Sequence, residues 1–382
     1  MIKKIKILHI IKTLGLGGAE TNLLNLVRAF DHKTTETHVA YSFGGEIEPR
    51  FSNSEMRLFK YANGIHRVKS LHTIFIVIKL VHYIKKNKID IVQTHNFNGH
   101  VWGLMAAKLS GIKLIEHVHD SRYTPRHELA RRHGLQDQYR FTKYFQNQAD
   151  RVIVLTRGNV DYILKNGFAK EQQIVEMQNG IPLDDGVASE VGDLRAILGI
   201  PVEAVVVLTS ARMDPLKNID LILRIAKKVI EAVPQVFFLV AGNGARLDEY
   251  RERCRELGLD GYVRFMGFHQ DMYALLATAN IFLLPSFLEL HSIAILEALK
   301  MKVPVVVSQG VGCNDQFIEN GKNGFLCDPF QEQPWIDALS LLANSADLRQ
   351  LIGINGHETC RRLFDIKMTS AQLEKIYVEL TS

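Results

Sequence analysis

The strongest constraint on this chain is its alternation. Short runs of branched apolar residues are followed, repeatedly, by stretches with apolar residues at three- and four-residue spacing. Lys6-Ile-Leu-His-Ile-Ile11 is the first such run, and Asn22 to Phe30 the first helical stretch. Strands are expected next at His38–Ser42, Asp90–His95, Lys113–His117, Arg151–Leu155 and Ile174–Gln178. Helices are expected between them, over Ile74–Lys86, closing at Ala106–Leu109 with Gly111 as a stop, and from Thr156 to Asn166. Strands apolar along their whole length need cover on both faces, and a parallel sheet flanked by helices supplies it. The pattern specifies a doubly wound α/β sheet, in which ligands sit beyond the carboxyl ends of the strands. Gly17, Gly18, His95, His119 and Thr156 all fall at such ends and are expected on one rim.

The series is interrupted once. After Asn179-Gly-Ile-Pro182 the chain turns polar and irregular, with Asp184-Asp-Gly and Glu190-Val-Gly-Asp, and a domain boundary is placed there. A second series follows. Strands are expected at Ala204–Leu208, Val236–Ala241, Val263–Met266, Ile281–Leu284 and Val303–Ser308, and a turn over Gly321–Gly324. Helices are expected to about Ala232, to Leu257, and over Met272–Ala279, Pro334–Ala343, Ala346–Phe364 and Ala371–Leu380. The first domain is therefore 1–182, and a second α/β series starts at 183.

Charge divides at the same point. Residues 1–182 carry 27 Lys+Arg and 15 Asp+Glu, a balance of +12; the remainder carries 19 and 26, a balance of −7. A basic half suits an anionic acceptor, a lipid surface or nucleic acid. Arg126, Arg131, Arg132, Arg140 and Lys143, interleaved with Tyr123, Tyr139, Phe141, Tyr144 and Phe145, mark Arg122–Arg151 as the part expected to meet it. Cys254, Cys313, Cys327 and Cys360 show no metal or disulfide spacing, which fits reduced thiols in a cytoplasmic protein. Leu71–Ile84 is the most apolar stretch, but His72, Lys79 and His82 interrupt it, and it is too short to span a bilayer. No signal-peptide pattern opens the chain.

Candidate chemistry is concentrated in a few places. Pro285-Ser-Phe-Leu-Glu-Leu-His-Ser-Ile-Ala-Ile-Leu-Glu297 runs from a strand into a helix starting near Ser292. Glu289 lies in the loop and Glu297 about two turns inside the helix. A helix N-terminus suits a phosphate, and a carboxylate on either side suits sugar and ribose hydroxyls. Arg212 and Lys217 follow another buried strand and can converge on a diphosphate, the one as a fork and the other as a point charge. Gly242 and Gly244 form a further strand-to-helix turn, as does Thr13-Leu-Gly-Leu-Gly-Gly-Ala-Glu-Thr21 near the start. His119, at a strand end, can bond a substrate hydroxyl or relay a proton. His117 would point to the opposite face if its strand continued, so His95, His117 and His119 are not expected to form one metal site. No G-x-S-x-G or Cys–His arrangement offers a nucleophile.

Together, Gly17-Gly-Ala-Glu20, Arg212 with Lys217-Asn-Ile-Asp220, Ala241-Gly-Asn-Gly244, Val263-Arg-Phe-Met-Gly267, Glu289 with Glu297-Ala298, and Asn323-Gly-Phe-Leu326 resemble the family-4 glycosyltransferases, from about residue 6 to residue 380. The resemblance implies a GT-B fold of two Rossmann-like domains, 1–182 and 183–362, facing across a cleft. It implies that the N-terminal domain binds the acceptor and the C-terminal one the donor, and that the last helix, 363–382, crosses back to the N-terminal domain. It implies a retaining transfer from a nucleotide sugar, UDP-linked before GDP-linked, to a glycan or lipid-linked acceptor of the cell envelope or exopolysaccharide, with no cofactor, no metal and no nucleic-acid partner. By resemblance Arg212 and Lys217 bind the donor diphosphate, Glu289 the transferred sugar, Glu297 the ribose and His119 the donor sugar. Gly17 and Gly18 lie at the phosphates and acceptor, with Gly242, Ser292 and Ile293 also at the donor. The reaction implied is a front-face attack in which the departing phosphate oxygen helps take the acceptor proton. The cysteine usage places the protein in the cytoplasm, and the basic aromatic stretch Arg122–Arg151 is expected to hold it peripherally at the inner face of the membrane.

Two segments depart from the pattern. Glu289-Leu-His-Ser292 stands where Glu-Gly-Phe-Gly is frequent, so that Leu290 and His291 are expected to crowd the sugar pocket or change donor preference. Gly312-Cys-Asn-Asp-Gln316 stands near a frequent Gly-Gly-x-Pro-Glu. Two other readings accompany the leading one: a sugar-nucleotide epimerase or hydrolase on the same fold, and a non-catalytic GT-B subunit that binds a glycan or a protein.

Overall fold

The structure, a computed structural model, describes residues 4–15, 17–52, 56–63, 72–119, 147–183, 194–269 and 271–382. Most of the basic aromatic stretch Arg122–Arg151, and Asp120, lie outside the described residues. The chain forms two compact units that divide after Pro182 and after Asp365, with Ile366–Ser382 belonging to the first.

The first unit holds seven parallel strands. These are β1 (Ile5–Thr13), β2 (Thr35–Phe43), β3 (Arg57–Lys60), β4 (Ile91–Thr94), β5 (Lys113–His117), β6 (Arg151–Val154) and β7 (Ile174–Glu176), ordered β3-β2-β1-β4-β5-β6-β7. The order reverses at β1, whose neighbours are β2 and β4. Loops after β1 and after β4 therefore leave in opposite directions and open a crevice between them. Both faces of the sheet are covered. Leu8, Ile10 and Val92 pack with Trp102 and Leu80 on one side, and Ile7, Ile11 and Ile91 with Leu24, Val27 and Leu373 on the other. The helix Phe97–Ser110 is capped by Asn96, whose side chain accepts from Gly99 N, and it ends at Gly111 with φ +67°. It lies so close to the sheet that a Cβ on Gly103 would collide with Thr94 Cγ2.

The last helix, Ile366–Thr381, docks on this sheet. Ile366 N donates to Ile181 O at 3.0 Å, and the Tyr377 hydroxyl donates to Gln93 Oε1 at 2.6 Å. Ile366, Leu373, Ile376 and Tyr377 are buried. At roughly 1.5–3 kcal/mol per fully buried apolar side chain, the gross contribution of this face is several kcal/mol. The helix starts before the apolar pattern that marked it in the sequence, because Ile366 and Thr369 also pack inward.

The second unit repeats the plan with six parallel strands: β8 (Val205–Ser210), β9 (Val236–Ala241), β10 (Val263–Gly267), β11 (Ile281–Leu284), β12 (Val305–Ser308) and β13 (Phe325–Cys327). Their order is β10-β9-β8-β11-β12-β13, so the reversal falls between β8 and β11. Ile222, Ile225, Val229, Phe238, Leu283, Trp335 and Leu339 lie at the centre of its main core. Together these are two Rossmann-like domains, the GT-B architecture. Among the described residues, no helix is long and apolar enough to cross a membrane.

Candidate active site

In the second unit the reversal point brings together the loop after β8 and the loop after β11. Asp214 starts the first loop's 3-10 turn, Pro215–Lys217, and its side chain accepts from Leu216 N. Asn218 takes φ +55° and is buried; its Nδ2 donates to Pro285 O at 3.1 Å and Pro329 O at 3.2 Å. Phe287 N donates to Leu216 O at 2.8 Å. These bonds lock the two loops side by side. As a result Lys217 Nζ lies 2.6 Å from Glu289 Oε1, and Ser286 Oγ donates to the same oxygen at 2.8 Å. The Lys217 and Glu289 side chains keep only 16% and 12% exposure, so the pair is mostly but not fully out of water. An ion pair that stays partly open at the rim of a sheet can be exchanged for a ligand's phosphate and hydroxyls.

Arg212 follows the same strand but is exposed, with its side chain 72% accessible and Nη2 3.3 Å from Asp214 Oδ2. Its direct neighbour Ala211 constrains Gly242. That glycine sits at φ +130°, and a Cβ there would collide with Ala211 O. Gly242 thus has a steric reason to be glycine besides any ligand contact. Gly244 packs on Met213 in the same way.

The helix after Glu289 runs Ile293–Lys300 with Ser292 as N-cap, and the Ser292 side chain makes no capping bond. Glu297 is half-buried and is the fifth helical residue, so it lies about one turn inside rather than two. The expected crowding by Leu290 and His291 meets a specific geometry. Both side chains are buried, His291 against Phe317 and Phe364 at ring separations of 5.6 and 4.8 Å. Leu290 O accepts from Cys313 N at 3.1 Å. Burial lowers the His291 pKa to about 3, so this ring is a neutral packing element.

In the first unit, Gly17 is the N-cap of the helix Gly18–Ala29 and its backbone is extended. Glu20 Oε1 accepts from Thr13 Oγ1 at 3.0 Å, which ties the helix start to the end of β1. His119 lies past the end of β5 and is half-buried. Its Nε2 is 3.2 Å from His95 Nδ1, and His95 Nε2 is 3.0 Å from His9 Nδ1. The expectation that His117 faces away fails. β5 ends at His117, so the alternation stops there, and the His117 and His119 rings lie 4.0 Å apart. His9 and Gln93 were missed in the sequence. They sit in register across β1 and β4, a pairing that follows from strand order and not from local pattern.

Residues 191–359 match the family described as Glycosyl transferases group 1, and residues 16–185 match Glycosyltransferase Family 4. The chain belongs to the family-4 glycosyltransferases. The two matches leave only the ends and a short join uncovered, and they meet near the division between the two units. The chain is similar, at 25% identity over 380 residues, to UDP-Gal:alpha-D-GlcNAc-diphosphoundecaprenol alpha-1,3-galactosyltransferase of Escherichia coli, covering 95% of this chain and 96% of that one. It is 24% identical over 343 residues to the lipopolysaccharide core biosynthesis glycosyltransferase LpsE of Rhizobium meliloti, covering 90% of each. Among solved structures, Anabaena Alr3699/HepE in complex with UDP and glucose has a TM-score of 0.84 at 21% identity, covering 98% of this chain and 100% of that one. This glycosyltransferase therefore has the fold of its family over nearly its whole length.

Proposed function

We propose that this glycosyltransferase moves a sugar, with retention of anomeric configuration, from a UDP-sugar to a glycan or lipid-linked acceptor in envelope or exopolysaccharide assembly. The observation that carries the reading is the Lys217–Glu289 pair at the β8/β11 reversal. In this mechanism the donor diphosphate displaces Glu289 from Lys217 and recruits the exposed Arg212. The two cations take up the charge that develops on the leaving diphosphate, the part a divalent ion plays elsewhere. Glu289, still anchored by Ser286, then holds hydroxyls of the transferred sugar. Glu297 holds the ribose, and the first N–H groups of the helix, at Ser292 and Ile293, face a phosphate. Gly242 lets the neighbouring turn approach the donor. From the first unit, Gly17 and Gly18 serve the phosphates and acceptor, and His119 the donor sugar. The acceptor hydroxyl attacks the face the diphosphate leaves, and the leaving oxygen helps remove its proton.

The donor base is inferred from relatives: the similar Escherichia coli enzyme is named for UDP-Gal, and the Anabaena structure holds UDP. The test is to supply a UDP-sugar of α configuration with a lipid-linked acceptor and read the product's anomeric proton by NMR. An α product supports retention; a β product, or hydrolysis without transfer, overturns it.

We also propose a peripheral place at the inner face of the cytoplasmic membrane. The helix His72–Asn87 exposes Ile74, Phe75 and Ile78 on one face and ends in Lys85 and Lys86. Apolar residues beside a basic end suit the interface of an anionic bilayer. Sedimentation with anionic vesicles should carry the protein down, and Phe75→Ser should weaken it. Equal, negligible binding to anionic and neutral vesicles would defeat the idea.

A further inference from the structure

We propose that His95, His117 and His119 form a binding site for one divalent transition-metal ion, for which Zn²⁺ is the best-matched probe. The three residues offer one ligand nitrogen each, all within 4.8 Å of one another. They come from the ends of β4 and β5, which are neighbours in the sheet.

The spacing fits. Zn–N bonds of about 2.0–2.1 Å in a tetrahedron put neighbouring nitrogens about 3.3 Å apart. His95 Nδ1 and His119 Nε2 are 3.2 Å apart. The outer nitrogens fit as well. A metal-bound imidazole keeps its other ring nitrogen in a hydrogen bond that sets its tautomer. His95 has His9 Nδ1 on its Nε2 at 3.0 Å. His117 has the Gln93 amide on its Nδ1 at 3.2 Å, and that amide is held in turn by the Tyr377 hydroxyl at 2.6 Å. Turning the Gln93 amide over presents its oxygen to His117 Nδ1–H while Tyr377 accepts from its nitrogen.

That arrangement leaves His117 Nε2, which is buried and has no hydrogen-bond partner. A buried polar atom without a partner is uncommon, and a role in holding an ion is one of its ordinary explanations. Three imidazole nitrogens favour Zn²⁺, Co²⁺ or Ni²⁺ and disfavour Mg²⁺ and Ca²⁺, which take oxygen ligands. All four cysteines are buried in the second unit, so thiols do not compete.

Occupancy has a consequence that rests on the proposed role of His119. An ion on His119 Nε2 removes that nitrogen from the donor sugar, so the loaded enzyme should transfer more slowly.

The experiment uses the full, tag-free chain after chelator treatment. Zn²⁺ is titrated by calorimetry, and Co²⁺ is followed by its visible absorption. One saturable equivalent is expected, with the Co²⁺ spectrum of a four-coordinate ion and no response to Mg²⁺. His119→Ala, at a half-buried position beyond a strand, should keep the fold and weaken Zn²⁺ at least about tenfold, as should His117→Leu. A chain that takes up no stoichiometric ion, or a folded His119→Ala that binds like the parent, overturns the site. Slower transfer with one equivalent of Zn²⁺, restored by chelator, supports both the site and the role of His119. Stoichiometric binding with unchanged transfer leaves the site standing and removes His119 from the reaction.

Discussion

Replacing Lys217 by Met keeps an unbranched side chain one atom shorter and removes its charge. In the structure Lys217 touches one carboxylate, Glu289 Oε1 at 2.6 Å, and that oxygen keeps a second donor, Ser286 Oγ. The loop itself is held by Asn218 and by the Phe287–Leu216 bond, neither of which involves the ammonium. Cutting a fully buried pair costs about 3–5 kcal/mol, and an exposed pair about 0–1. At 16% and 12% exposure, with Ser286 still in place, a loss of about 1–3 kcal/mol is expected. That corresponds to a fall in Tm of about 2–12 °C, at roughly 2–4 °C per kcal/mol for a unit of this size. The effect on turnover is much larger. Losing one preorganised charge on the leaving group costs about 10²–10³ in kcat. Release of UDP from a saturating UDP-sugar, measured well below the variant's melting temperature, reads it. A folded Lys217→Met that turns over near the parental rate refutes the phosphate role, whatever its Tm.

Three further outcomes follow from the geometry. Gly242→Ala forces a Cβ against Ala211 O at φ +130°, so the second unit should lose about 1–3 kcal/mol and bind UDP more weakly, read by thermal melts and titration; a variant that melts and binds like the parent would show that the turn has room to spare. Tyr377→Phe removes the bond to Gln93, and the first unit should lose about 1–3 kcal/mol in denaturant unfolding; an unchanged midpoint would show that the docked helix does not depend on it. Acid should destabilise the metal-free chain from about pH 6.5 downward. His9, His95, His117 and His291 have folded pKa values below the ordinary 6.5, reaching about 3 for His9 and His291. As pH falls through 6.5 the unfolded chain takes up protons that the folded one refuses, so stability is present above 6.5 and lost toward pH 3. Three of the four lie in the first unit, which should melt first in an acid titration; stability that is flat between about pH 7 and 4.5 contradicts this.

The alternation along the sequence was enough to read the longer helices and most of the strands, because strands buried on both faces carry a signal that needs no context. The two missed strands show its limit. Arg57-Leu-Phe-Lys60 is an edge strand with charged ends, and Phe325–Cys327 is three residues long. The Lys217–Glu289 contact was partly legible, since both residues follow buried strands and the reversal point of a doubly wound sheet gathers such loops. The histidines were not. His9, Gln93, His95, His117 and His119 meet because β4 pairs with β1 and β5 with β4, and because β5 stops at His117, before alternation could carry the following residues along the sheet. Register and strand ends are decided by tertiary packing, which local pattern does not record. The same holds for the burial of Leu290 and His291, the latter among Phe317 and Phe364.

Binding of a nucleotide diphosphate at Arg212 and Lys217 underlies the proposed transfer. Calorimetric titration of UDP, GDP and ADP into the parent and Lys217→Met reads that binding without turnover. One equivalent of UDP is expected, bound more tightly than GDP or ADP and weakened at least about tenfold in the variant. A parent that binds none of the three, or a variant that binds UDP as the parent does, contradicts it.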